Sequence, residues 1–184
     1  AALNTDYHVH LEKNGTSTVN GATLGTGAAA ASSRNDFLFA MNNGGSAAWH
    51  SAARISSCKI SAGTTLIRDF IPCRNDQGEA GFWDRVEGRF YGSATSTKLF
   101  GNDDEAEGVS LNFLESVGAT CVDTEVAHTG DTVVDLKVRF LGAPGNGGWV
   151  SAFGARSGSR NNDAFGLWIH NSSGTLKFWK EFGG

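Results

Sequence analysis

Residues 131–141, DTVVDLKVRFL, constrain the fold more than any other stretch of the chain. Thr132, Val134, Leu136, Val138 and Phe140 alternate with Asp131, Asp135, Lys137 and Arg139. A period of two is the signature of a strand with one dry face and one wet face. The same period returns at 6–12, where Tyr7, Val9 and Leu11 alternate with Asp6, His8, His10 and Glu12. No long stretch carries helical periodicity. Twenty-five Gly against two Pro in 184 residues point to short strands joined by tight turns. The expectation is an all-β chain, an antiparallel two-sheet sandwich of about a dozen strands. The length suits one domain, large enough for a real core.

Turn chemistry divides the rest. Asn14-Gly15 predicts a type I′ hairpin turn, in which both central residues need positive φ. Residues 22–33, ATLGTGAAAASS, read as a loop or a poorly specified strand. NDFLFAMN, residues 35–42, is apolar on both faces, as a central strand would be. RISSCKIS (54–61) and TTLIRDFI (64–71) predict a hairpin, with Pro72 and the RNDQGEAG stretch breaking the ladder beyond it. GFWDRVEGRFYG predicts another, turning at Glu87-Gly88, with Asp84, Val86, Arg89 and Tyr91 on one face and Trp83, Arg85 and Phe90 on the other. GNDDEAEG, residues 101–108, reads as a small, acidic linker.

A net charge of −4 and the lack of a basic tract argue against a nucleic-acid partner, and no apolar run is long enough to insert in a bilayer. Three cysteines leave at least one unpaired. Cys58 and Cys73 bracket a candidate hairpin, but a turn near Gly63 puts Cys58 opposite Arg68, which favours buried thiols over a cross-strand disulfide.

Several stretches resemble the concanavalin A-like, laminin G-like jelly-roll domains of bacterial and phage surface proteins. FLESVGATCVDTEV and FGARSGSRNNDAFGLW are similar to the family's first half. HLEKNGTSTVNG, FLFAMNNGG, ARISSCKI and LIRDFIPCRNDQGEAGFWDRVEGRFYG are similar to its second half. Cys121 departs from the pattern, standing where an aromatic is usual. In family order the chain runs from Val109 to Gly184 and then from Ala1 to Phe100. The resemblance thus implies one jelly roll, 1–184, with its halves (109–184 and 1–100) permuted about the 101–108 linker. Extended, eight residues span roughly 25 Å, enough to join termini that lie close together. The same order also fits a window on a chain of repeats, or a subunit completed by its neighbours. The resemblance implies an extracellular or cell-surface setting, and glycan or protein binding only loosely.

Glucanases related to this family need a Glu-x-Asp-x-(x)-Glu pattern on one strand face. The chain has none, and Asp131 and Asp135 are followed by Lys137 and Arg139, so no enzymatic activity is expected. His8 and His10 share a strand face at a spacing that can chelate a metal, but no third ligand is visible and a wet strand face accounts for them. Asp103, Asp104, Glu105 and Glu107 lack the ligand spacing of a calcium loop. Calcium is common among the relatives, yet no site for it can be assigned here, and no cofactor is expected. Asn14-Gly15-Thr16 and Asn171-Ser172-Ser173 match the glycosylation acceptor pattern at turns.

The strongest binding signal is Trp168 with Trp179. A turn at Asn171–Gly174 puts Trp168 opposite Lys177 and Trp179 opposite Gly166, so the indoles share a face with His170, one step apart diagonally. Phe165, Leu167, Ile169, Leu176 and Phe178 supply a core on the other face. The pair stacks on a sugar ring, anchors a partner, or lies buried under a loop. Two function classes follow: a structural or adhesive module of a tandem array or self-assembling fibre, partnered by copies of itself, and a glycan-binding lectin-like domain using Trp168, Trp179, Lys177 and His170.

Overall fold

The computed structural model describes residues 1–27, 31–102, 110–157 and 163–182. The first 26 residues form a meander of β1 (Asp6–Glu12), β2 (Thr16–Val19) and β3 (Ala22–Thr26). Next come β4 (Asn35–Leu38) and a short hairpin of β5 (Met41–Asn43) and β6 (Ser46–Ala48). The antiparallel run β7 (Ala52–Ala62), β8 (Thr65–Arg74), β9 (Ala80–Asp84) and β10 (Arg89–Tyr91) follows. The second segment contributes β11 (Leu114–Val117), β12 (Val122–Ala127) and β13 (Thr132–Phe140). It ends with β14 (Trp149–Arg156), β15 (Phe165–Ser172) and β16 (Thr175–Phe182).

The chain is all-β and makes two sheets that face one another. The first runs β10-β9-β8-β7-β13-β1-β2-β3, with β11 beside the start of β7. The second runs β12-β4-β14-β15-β16, with β5 and β6 attached to β14. Strands of the two segments interleave in both. β13 lies between β7 and β1, and β4 between β12 and β14. The expected face of β13 is buried: Thr132, Val134, Leu136, Val138 and Phe140 point inward. They meet Leu38, Val122, Phe153, Phe165, Leu167 and Ile169 of the other sheet in one continuous core. Each fully buried Val, Leu, Ile or Phe contributes about 1.5–3 kcal/mol.

Several local expectations are corrected. The hairpin at Asn14-Gly15 forms, but neither residue has positive φ. Lys13 keeps one backbone bond to β13, its N–H donating to the Thr132 carbonyl at 2.9 Å, and buries its side chain, with Nζ donating to the Ala164 carbonyl at 2.5 Å. The connection is therefore three residues long, and a mirror-image turn is not needed. Residues 22–26 form a strand at the edge of the first sheet. The 35–42 stretch is central, as expected, but kinked. Leu38 and Phe39 both enter the main core, which consecutive residues of a flat strand cannot do, and Phe39 takes φ 65° to allow it. Pro72 does not end its ladder: β8 continues to Arg74, paired with β9. Its ring nitrogen faces away from β9, on the side where its carbonyl accepts the Leu111 N–H, so no ladder donor is lost.

The β7–β8 turn falls at Gly63, with φ 56°. A register shift between Ile60 and Ser61 then places Cys58 opposite Phe70, not Arg68. Cys58, Cys73 and Cys121 are free. Burial pushes all three thiols up, Cys121 to about 11, which keeps them protonated and unreactive. The β9–β10 hairpin turns over residues 85–88, so Arg85 and Val86 lie in the turn and not on strand faces; Gly88 takes φ 66°. Of the 101–108 linker, everything from residue 103 on lies outside the described residues. No helix among the described residues is long and apolar enough to cross a membrane.

The edges of the two sheets abut. β3 lies against β16, and β10 against β12. At the second seam Arg68, nearly buried, donates to the Thr124 carbonyl at 3.1 Å and pairs with Glu87 at 2.6 Å. Glu87 also accepts the Tyr91 hydroxyl at 2.7 Å and an Arg89 N–H at 3.2 Å, while Arg89 bonds Glu125 of β12. The Tyr91 hydrogen bond, with the Arg68 and Arg89 charges, holds the Glu87 carboxyl below its ordinary range. A depressed folded-state pKa stabilises the fold above the unfolded value, and that contribution is lost as pH falls through the folded one. Glu87→Gln therefore lowers the melting temperature at neutral pH. The gap to wild type closes on acidification below the ordinary glutamate range, as a thermal melt series against pH will record.

Candidate functional site

The aromatic face expected from Trp168 and Trp179 is assembled by three adjacent strands, and the β15–β16 turn sets its register. Ser173 and Gly174 both have positive φ, 52° and 82°. That makes a two-residue turn of the primed type, closed by pairing of Ser172 with Thr175. Asn171 accepts the Gly174 N–H at 3.0 Å and donates to the Pro144 carbonyl at 2.8 Å, while Asn146 accepts the Ser173 N–H at 2.8 Å. The turn is thus two residues tighter than Asn171–Gly174 with both ends open. Trp168 consequently stands directly opposite Trp179, and His170 opposite Lys177, in place of the diagonal arrangement.

On the other side of β15, β14 brings Trp149 opposite His170. The indole and the imidazole stack with centroids 4.0 Å apart and planes 17° from parallel. Trp149 meets Trp179 edge-on at 5.9 Å and Trp168 at 6.0 Å. Trp49, with φ 50°, meets Trp168 edge-on at 5.1 Å. The Arg156 guanidinium lies 4.3 Å over the Trp49 ring and donates to Asn43 at 3.0 Å.

Burial splits this cluster into support and surface. Trp168 is 4 % exposed and Trp179 is 56 % exposed. The 39–50 segment accounts for the difference, because it covers one end of the outer face of the second sheet. Glycine makes the cover fit. Gly154 and Gly166 are cross-strand partners, and a Cβ on Gly166 would lie 2.4 Å from the Met41 terminal carbon and 2.7 Å from the Phe153 carbonyl. Phe37, Ala40 and Cys121 form a second small core with Ala47 beneath the same segment. Beyond it Trp149 and His170 are half-buried, and Lys177 and Trp179 are exposed. The Trp168 Nε1 and the His50 Nε2 are buried without a hydrogen-bond partner, and burial lowers the His50 pKa.

All four residues expected here, Trp168, Trp179, His170 and Lys177, share this face. Trp149, Trp49 and Arg156 join them and were missed. GWVSAFGAR shows that Trp149 sits on a strand, but only the β14–β15 pairing shows which neighbour it meets.

The remaining candidates have structural partners. His10 Nδ1 lies 2.9 Å from Asp135 and His8 Nε2 lies 4.0 Å from it. Among the described residues no group of three His, Cys, Asp or Glu is arranged to hold a metal ion. Asp84 is buried and accepts the backbone N–H groups of Asp69 and Val86. The Asn171 amide is engaged in its turn.

Iodide will quench Trp179, and Trp83, which is 41 % exposed, far more than Trp168. Trp179→Phe removes a large share of the quenchable fluorescence, and Trp168→Phe leaves it nearly unchanged; the reverse order would place the wrong indole on the surface. Comparison of the chain with known protein families, with characterised proteins and with solved structures finds no match, so geometry alone carries the functional reading.

Proposed function

We propose that this domain is a non-catalytic extracellular adhesive module, a jelly roll of the laminin G-like kind with its halves in permuted order. It binds glycan on the outer face around Trp179. The observation that carries this reading is the open stack of Trp149 on His170 beside exposed Trp179 and Lys177. Soluble domains seldom leave a large indole exposed in a fixed aromatic setting unless it contacts something. A sugar ring offers C–H groups to such faces and hydroxyls to a neighbouring amine, and Trp168 beneath holds Trp149 in place.

A glycan array run on wild type, Trp179→Ala and Lys177→Ala tests this reading. Retained folding with affinity lower by about tenfold or more is expected for Trp179→Ala, the scale of one lost aromatic contact, on the order of 1.4 kcal/mol. Wild type that captures no glycan at all would remove the reading.

A second reading is favoured by the interleaving of the two segments in both sheets. A neighbouring copy can supply the same strands, which makes the domain a unit of a tandem array or a self-assembling fibre. Residues 101–108 carry four carboxylates in eight positions, and like charges in a connection repel one another. Light scattering and negative-stain microscopy at high concentration are expected to show linear polymers. A strictly monomeric particle would eliminate exchange and leave the closed, glycan-binding module.

A further inference from the structure

The opposite outer surface of the molecule, on the first sheet, carries a charge pattern that the aromatic face does not use. Across four strands the Cα partners read Asp6, Arg139, Arg54, Glu115. Two guanidiniums therefore sit on directly opposed positions, an arrangement that is unfavourable unless neutralised. The flanking carboxylates do this only from the outside. Arg139 Nε donates to Asp6 at 2.7 Å, and Arg54 Nε donates to Glu115 at 2.7 Å. Arg54 is further held 4.2 Å over the Phe113 ring.

One step along the sheet, Lys137 stands opposite His8 on β1 and Ser57 on β7. The register shifts between Lys137 and Val138, so Ser56 is an extra residue in β7 and is exposed. Bulges of this kind re-aim side chains beside sites. Lys137 is exposed and has no ion pair among the described residues.

Asp6, His8, Arg54, Ser56, Lys137 and Arg139 line a cleft of about 480 Å³, walled by Tyr7, Asn112 and Phe113. Its lining holds Arg54, Lys137, Arg139 and His8 against Asp6, and with Arg139 paired to Asp6 and Arg54 to Glu115 beside the cleft, Lys137 is the full positive charge left over. The sign selects an anion. The volume suits a ligand of one or two sugar units. Asn20, Asn112 and Ser56 are among its neutral polar groups, which suit a ligand that joins a single charge to several hydroxyls. A polyanion fits poorly, because the whole chain carries a net charge of −4.

We propose that this cleft binds an acidic sugar unit of the uronic acid type, its carboxylate held by Lys137 with Arg54 and Arg139 beside it. The site is independent of the Trp179 face and lies on the other side of the sandwich. A charged hydrogen bond to a carboxylate is strong where the cation is not already satisfied, which makes Lys137 the determinant.

The test is an NMR titration of the full chain with methyl β-glucuronide, and with methyl β-glucoside as its neutral twin. Saturable shifts are expected at Lys137, Asn112 and Phe113 with the glucuronide only, weakening as salt is raised. Lys137→Gln lowers the affinity about tenfold, the scale of one charge-assisted bond, with an unchanged melting temperature, and Lys137→Arg restores most of it. Trp179→Ala has no effect. The proposal is overturned if the glucuronide gives no saturable shift at Lys137, Asn112 and Phe113, if the neutral glucoside shifts these same residues equally well, or if Lys137→Gln binds the glucuronide there like wild type.

Discussion

The structure depends on the pairing of β13 between β7 and β1. One face of β13 is fully apolar apart from Thr132, and its burial joins the 110–182 segment to the 1–102 segment in a single core. Neither flanking strand comes from β13's own segment. A β-strand with a dry face and no sheet to bury it is unstable in water, so each segment depends on the other for its core. Loss of β13 would expose the inner faces of β1 and β7, where Val9, Leu11, Ile55 and Ile60 are buried.

Polar groups close what the apolar core leaves open. At one seam Arg68 reaches from β8 to the Thr124 carbonyl of β12 and so ties one sheet to the other. Deeper, His128 and Asp36 form a fully buried pair at 2.9 Å, with His128 Nε2 also 2.6 Å from the Asp163 carbonyl. Burial outweighs the His128 charge and raises the Asp36 pKa. Such pairs add little net stability, but removing one partner costs about 3–5 kcal/mol. Their effect is specificity: β4, β12 and the start of β15 must meet in one register for both hydrogen bonds to form.

The two outer faces differ because the 39–50 segment covers only part of one of them. Gly154 and Gly166 leave room for Met41, so the segment lies close against the second sheet and buries Trp168. Trp149 and Trp179 lie past its reach. Among the described residues the first sheet has no such cover over its charged rows, which form the cleft around Lys137.

Period-two patterning by itself determined the all-β class, the inward faces of β1 and β13, and the core face of β15, because a strand's side chains alternate regardless of what it pairs with. It also placed Trp168, Trp179, His170 and Lys177 on one face. Register was not legible. The shifts at Ile60/Ser61 and at Ser151/Phe153, the three-residue connection at Lys13 and the tight Ser173-Gly174 turn leave no mark in the period-two pattern. Asn14-Gly15 carries the stronger local turn signal, yet the primed turn formed at Ser173-Gly174, where Asn171 and Asn146 accept the turn's N–H groups, while the Asn14-Gly15 connection takes in the buried Lys13. Tertiary structure alone decided that Trp168 is support and Trp179 is surface. It alone brought Trp149 onto His170, and Arg54 beside Arg139, since these neighbours lie on strands far apart in sequence and meet only when the sheets form.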